Sequence, residues 1–167
     1  MNRKIATFFM DNTLLGVDIL LVKEVNRNIT LTPIPDANST LRGLMNLRGK
    51  VVTVIDLNVC LNRPVTKSIE ECRLLILKTD EEIVNYQNGG MLIGVKLGED
   101  IIGFLINQMA DVFEVQDEDI LQPPPNLTLV DKELVEGVIK RGKQLVILLN
   151  VTAILDKVLS ASTKIED

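Results

Sequence analysis

A chain of 167 residues can bury a full core without a disulfide or metal staple, and its complete lack of histidine removes the usual general base, proton shuttle and zinc ligand together. A net charge of −5, with 18 basic residues scattered singly among 23 acidic ones, argues against a nucleic-acid footprint. Cys60 and Cys72 form no CxxC pair, which fits neither a disulfide framework nor a metal knuckle, so both read as reduced, partly buried thiols of a cytoplasmic protein.

The first apolar run is cut by Asp11 too soon for a signal peptide, and no window approaches the roughly 18 apolar residues of a membrane helix, so a soluble chain with no direct membrane insertion is expected. Short runs rich in Val, Ile and Leu then follow one another at 5–10, 14–25, 29–34, 44–47, 51–57, 73–78, 91–97, 101–115, 135–140 and 144–149. Each is strand-sized, and the β-branched character of the apolar residues favours pleated surfaces, which predicts a mainly all-β fold. The two longest runs, 14–25 and 101–115, must bend or carry a bulge. Between runs, "PDANST" from Pro35 and "TDEEIVNYQNGG" from Thr79 read as exposed loops, the second a divider between halves. Asp117, Glu118 and Asp119 lack the spaced ligands of a calcium loop and read as a solvated run, and Pro123–Pro125 as a stiff extended loop. After the last strand Val151, Ile154, Leu155, Val158 and Leu159 recur at helical spacing, which predicts an amphipathic helix over 151–160 followed by a fraying polar tail.

The two halves resemble each other. "LLGVD" at Leu14 aligns with "IIGFL" at Ile101, 87 residues on, and the same offset sets Val22, Glu24 and Val25 against Met109, Asp111 and Val112. "LTPIP" from Leu31 meets "LQPPP" 90 residues on, "RGK" at Arg48 recurs 93 on, and Asp56 meets Asn150 at 94. A steadily rising offset is what small loop insertions in a second copy produce. Segments 14–62 and 90–150 are therefore expected to be repeated halves of one domain, residues 1–167, built as two small barrels, since closure spares a small sheet its edges. Runs 51–55 and 145–149 are apolar at every position but Thr53, which predicts burial of both faces, one in the strand's own barrel and one in a shared layer.

Arg48, Gly49 and Lys50 read as a hairpin turn, with Gly49 and, in the second copy, Gly142 supplying positive φ. Gly43 is likewise assigned to a turn, and Asp56 and Asn150 to helix caps. The turn explains the glycine and leaves Asn46 unexplained. Glu24, flanked by Val22 and Val25, is either an ordinary edge charge or the partner of Arg48 in a planar bidentate pair. If exposed, such a pair contributes about 0–1 kcal/mol, so its use lies in orienting a surface. The chain shows no phosphate-cradling loop, nucleophile elbow or metal constellation, which points away from an enzyme and from any cofactor. A small β-barrel enzyme or ligand carrier is the competing class and needs a deep pocket with converging polar groups.

The stretch "GLMNLRGKVVTVIDL" from Gly43 is similar to the signature of CheW-type chemotaxis coupling proteins, in which Gly and two variable residues precede Asn-Leu-Arg-Gly and a strand ending in Pro-Val-x-Asp-Leu. "LVKEV" at Leu21 resembles that family's Val-x-Glu-Ile/Val segment, and "IIGFLINQMADVFEV" its Val-Gly-x-x-Val-Asp-x-Val-x-x-Val; the resemblance runs from Ile5 to Leu159. Thr53 stands where the pattern has Pro, Asn107 where Asp is frequent, and "LNVCLNRP" lacks the common Arg and Phe-Gly-Leu-Pro ending. The resemblance implies two pseudo-symmetric five-stranded SH3-like barrels on a shared hydrophobic core, with the C-terminal amphipathic helix, acting as a non-catalytic signal-transduction adaptor. Its implied partners are the regulatory domain of the histidine kinase CheA, met by barrel ends in both halves, and the helical cytoplasmic tip of a methyl-accepting chemoreceptor, taken near the barrel junction. Carried over by position, Glu24, Asn46 and Arg48 form the receptor-binding surface, with Val22, Val25 and Leu47 as apolar neighbours. A coupling adaptor of another receptor–kinase array, such as one controlling twitching motility, or one working beside a response-regulator protein, is the alternative of the same kind.

Overall fold

Strand β1 (Asn2–Met10) turns at Asp11 and Asn12 into β2 (Thr13–Asp18), and the run 14–25 then breaks as expected. The break is one 3₁₀ turn, Ile19–Leu21, opened by the Asp18 carboxylate, which accepts from the Leu20 N–H at 3.0 Å. Beyond it come β3 (Val22–Asn26), β4 (Leu41–Leu47), β5 (Lys50–Asp56) and helix α1 (Leu57–Cys60). Then follow β6 (Arg73–Leu77), α2 (Asp80–Asn88), β7 (Ile101–Ile106) and β8 (Gln108–Gln116), so that the run 101–115 also divides, at Asn107. Short β9 (Ile120–Leu121), β10 (Val135–Arg141), β11 (Gln144–Leu149) and α3 (Val151–Glu166) complete the computed structural model, which describes residues 2–35, 37–125 and 132–166, with side chains as far as residue 159.

Three expected elements differ, each for a local reason. Residues 29–34 make a single bridge, Thr32 to Leu44, because Pro33 and Pro35 have no N–H to donate to a ladder. Residues 91–97 form no strand: Gly90, Leu92, Gly94 and Gly98 all adopt positive φ. The expected loop from Thr79 is mostly helix, since the Thr79 N–H donates to Glu82 at 3.0 Å, three acids sit in the first turn where the helix dipole favours them, and Ile83 is buried. At the C-terminus Asn150 does cap α3, its Oδ1 accepting from the Ala153 N–H at 3.0 Å, and the helix runs six residues past the expected 160. The "PDANST" segment keeps no strand or helix, and its Asp36 lies outside the described residues.

The strands form two sheets, in the orders β8-β1-β2-β11-β10-β9 and β3-β6-β7-β5-β4. One has six strands rather than five because Ile120 and Leu121 pair with β10; their counterpart in the other sheet is the lone Thr32 bridge. Each sheet takes strands from both copies of the repeat, and the pairings correspond. β2 runs parallel to β11 as β7 runs parallel to β5, and β10–β11 matches β4–β5 down to a bulge at the same place. Gly43 therefore sits at a bulge inside β4 rather than in a turn. A Cβ there would lie 2.6 Å from the Thr32 carbonyl oxygen, at φ +151°, and one at the equivalent Gly137 would lie 2.8 Å from the Leu121 carbonyl oxygen.

Alternation along the strands sends side chains into three apolar layers. Ile5, Phe113, Val146 and Leu148 fill the first sheet's interior, and Val52, Val54, Leu74 and Ile76 the second's. Phe8, Val17, Phe104, Ile147 and Leu149 form the shared layer together with Leu57, Ile83 and Ile154 from the helices. Each such side chain contributes on the order of 1.5–3 kcal/mol of burial. From Val146 on, β11 is buried on both faces as expected, but Val51 and Leu145, at matching hairpin ends on the faces that carry Ile55 and Ile147 into the shared layer, are 61% and 53% exposed.

The two thiols are buried in different layers, Cys60 in the shared one and Cys72 inside the second sheet. Burial pushes the Cys60 thiol from its ordinary 9.0 up to about 12, despite the opposing pull of Lys157. A raised pKa keeps the thiol neutral in the fold. Its contribution to stability is thus fully present below pH 9 and is lost as pH climbs toward 12. At pH 8 neither thiol is expected to react with a colorimetric disulfide reagent until denaturant is added; prompt reaction of the native protein would show that these layers open.

Candidate docking site

The β4–β5 hairpin closes through Arg48 and Gly49, at φ 51° and 83°, between the paired residues Leu47 and Lys50. Positive φ at both central positions is the mirror-image turn that suits a twisted hairpin. For an arginine this conformation costs about 1 kcal/mol or more. Asn46 answers for itself: its Oδ1 accepts from the Gly49 N–H at 2.9 Å and holds the turn shut. The second hairpin shows what an unstrained version looks like. There Arg141 pairs with Gln144, and Gly142, at φ 62°, occupies the place of Arg48. The recurrence of "RGK" therefore hides a one-residue slip, and the first copy carries arginine where the second carries glycine.

Arg48 Nη2 donates to Glu24 Oε2. β3 and β4 are the two outer strands of their sheet, so this ion pair spans the opening that backbone pairing leaves. A register shift between Val22 and Glu24 re-aims β3 at that point. Beneath the pair is an open cleft of about 370 Å³ with an apolar floor of Leu47, Val52, Ile76 and Ile101. Arg48 is 66% exposed and Glu24 28%, so solvent keeps the pair's stabilisation near about 0–1 kcal/mol.

Lys23, also at the cleft, is engaged with Glu82 on α2 at 2.9 Å. Burial pushes the Glu82 carboxyl up, but the Lys23 ammonium and the hydrogen bonds of Thr79 outweigh it and hold the group below its ordinary range. Arg48 and Lys50 give the mouth its basic character. Of the residues singled out by sequence, Glu24, Leu47 and Arg48 thus meet in one cleft and Asn46 shapes its rim. Val22 packs against the shared layer, and Val25 lies outside the cleft, exposed.

A second constellation escaped the sequence reading. Asp56 does cap α1, accepting from the Asn58 N–H at 3.1 Å, but it is fully buried and also accepts from Arg42 Nη1 at 2.9 Å and from the Thr66 N–H and hydroxyl at 2.9 and 2.8 Å. Arg42 reaches the Thr66 carbonyl as well, at 2.8 Å. This network ties the base of the β4–β5 hairpin to the segment after α1. No local pattern in the sequence marks Arg42 or Thr66; the only signal is an acid ending an apolar strand.

At the other sheet's corresponding end Arg141 stacks over the Phe113 ring at 4.0 Å instead of pairing with Asp111, the residue aligned with Glu24. Among the described residues no cluster of three Cys, Asp or Glu side chains could hold a metal ion, and no helix is long and apolar enough to cross a membrane.

Two sheets packed across a common layer, with a charged, half-apolar cleft at one open end, define a β-rich scaffold domain that offers surfaces for docking. The chain belongs to the CheW-like domain family, whose model matches residues 4–159. It is 28% identical over 148 residues to the chemotaxis protein CheW of Treponema pallidum, covering 89% of this chain and 79% of that protein. To CheW of Bacillus subtilis it is 24% identical over 160 residues, covering 95% and 90%. Among solved structures it is similar to the scaffolding protein TtCheW from Thermoanaerobacter tengcongensis, with a TM-score of 0.72 at 26% identity over 92% of this chain and 88% of that one.

Proposed function

We propose that this chain is a non-catalytic, cytoplasmic coupling adaptor that holds chemoreceptor cytoplasmic tips and the regulatory domain of the histidine kinase CheA in one complex. The observation that carries the reading is Arg48, an arginine kept in a left-handed turn where its internal counterpart is glycine, and aimed across an exposed cleft at Glu24. Local strain at an exposed charged residue contributes nothing to the fold, which supports a role for the side chain toward a partner. Arg48 and Lys50 suit acidic or carbonyl groups on a receptor helix, while Leu47 and Val52 suit an apolar anchor on the same helix face. Receptor and kinase would then communicate through the adaptor with a coupling free energy of about 1–3 kcal/mol.

The decisive experiment is gel filtration with the CheA regulatory domain. Co-elution as a complex larger than either protein is expected, and addition of receptor tips is expected to shift that complex again. Separate elution of adaptor and kinase domain at micromolar concentration would remove the kinase arm of this reading.

A further inference from the structure

The repeat exposes one segment that the common frame does not need. β1 and β2 are joined by Asp11 and Asn12 alone, whereas their counterparts β6 and β7 are joined by residues 78–100. This insert is a built element. Asp80 clasps the Leu97 and Gly98 N–H groups at 2.7 and 3.0 Å, Gln87 Nε2 donates to the Leu92 and Val95 carbonyls at 3.0 and 2.9 Å, and the Lys96 N–H donates to Thr152 Oγ1 on α3 at 2.9 Å. Its base is sunk in the shared layer through Ile83 and Leu97. Its tip does the opposite: Leu92, at φ 54°, turns inward, while Ile93 is left 72% exposed beside Met91 at 38%. A braced loop with a non-glycine residue in the left-handed region and a bare isoleucine at its apex is arranged for contact.

The tip forms one wall of a groove of about 840 Å³ whose other walls are the start of α3 and the 3₁₀ turn, with Ile19 and Leu20 half-buried in it. The charged lining is four carboxylates against two bases. Arg3 is shared between Asp18, at 3.2 Å, and Glu136, at 2.6 Å, and Asp156 stands exposed on α3. The rim is thus net acidic around an apolar bed.

We propose that the insert is a specificity wall, which makes this groove select an amphipathic partner helix carrying Lys or Arg beside its apolar stripe, with Ile93 and Met91 as the apolar contacts and Asp156 among the charged ones. The proposal rests on the adaptor reading only in taking the partner to be a protein helix. A helix is read through such a groove by apolar anchors at i, i+3, i+4 and i+7, and the charged rim sets which helices are admitted.

The test uses the full chain and two synthetic helical peptides of about five turns, both with a leucine stripe, one flanked by lysines and one by glutamates. Binding is read by NMR of methyl groups. The lysine peptide is expected to shift the Met91 and Ile93 methyls, and the glutamate peptide to bind at least about tenfold more weakly. Ile93→Ser is expected to lower affinity for the lysine peptide about tenfold, and Asp156→Lys about threefold to tenfold, both with unchanged melting curves. No binding of the lysine peptide, equal binding of both peptides, or undiminished binding by Ile93→Ser would overturn the proposal. Arg48→Glu serves as the separating control: its expected loss of receptor recruitment with intact peptide binding keeps failure of this groove distinct from failure of the adaptor reading.

Discussion

Arg48→Glu is expected to abolish co-sedimentation of the protein with receptor tips while leaving its circular-dichroism spectrum and melting temperature close to those of the parent. The pair it breaks is exposed, so the loss of attraction is about 0–1 kcal/mol. What changes is the surface, because a second carboxylate then faces Glu24 across the cleft and the basic mouth loses its more specific donor. Arg48→Gly sharpens the result. Glycine relieves the left-handed strain and is expected to raise stability slightly, by up to about 1 kcal/mol, yet it too should fail to recruit receptor tips. A folded Arg48→Glu protein that sediments with receptors as the parent does would detach this cleft from receptor binding.

The other arginine of the same hairpin is expected to behave in the opposite way. Arg42→Met leaves the Asp56 carboxylate, fully buried, without its cation, although the Asn58 N–H and both Thr66 donors remain. Removing one partner of a buried pair costs about 3–5 kcal/mol, which for a domain of this size lowers the melting temperature by about 10 °C. Adding Asp56→Asn to Arg42→Met removes the uncompensated charge and keeps the oxygen that accepts from the Asn58 N–H and the Thr66 hydroxyl, though not the one that accepts from the Thr66 N–H, so the double variant is expected to recover part of the loss. Calorimetry of the single and double variants is the measurement. A single variant melting within about 1 °C of the parent would show that Arg42 neutralises nothing of consequence. Two arginines six positions apart in "RGLMNLR" are thus expected to divide the work, one toward partners and one toward the fold.

Much of the architecture was legible because the signals were periodic. Strand runs and the helical stripe after Asn150 follow from side-chain spacing, and they map onto every described strand but the short β9 and onto α3. Where spacing was overruled, a short-range interaction did it. Pro33 and Pro35 cancelled a run that looked like a strand, and Thr79 with Glu82 started a helix in a segment polar enough to pass for a loop. Of the two alternatives for Glu24 the fold has it accepting from Arg48 Nη2, a contact between residues 24 positions apart that sequence does not advertise. The slip between the two "RGK" triplets is subtler still, because identical letters sit one position apart in the register and only the φ angles of Arg48 and Gly142 reveal it. Asp56 is legible as a cap, but its three further hydrogen bonds depend on residues ten and fourteen positions away, where no local pattern reaches.

The interleaving of the two copies governs how the polypeptide must mature. β3, β4 and β5 leave the ribosome before β6 and β7, which supply the middle of their sheet, while β1 waits for β8 and β2 for β11. Among the described strands, the pairings β1–β8, β2–β11, β3–β6 and β5–β7 join partners that are not consecutive, so both sheets keep unmatched edges until the later partner emerges, and acquisition of the native state is expected to be slow and strongly cooperative. Severing the gene between the repeats would yield two fragments that each lack the centre of a sheet, and only their reassociation would restore either one.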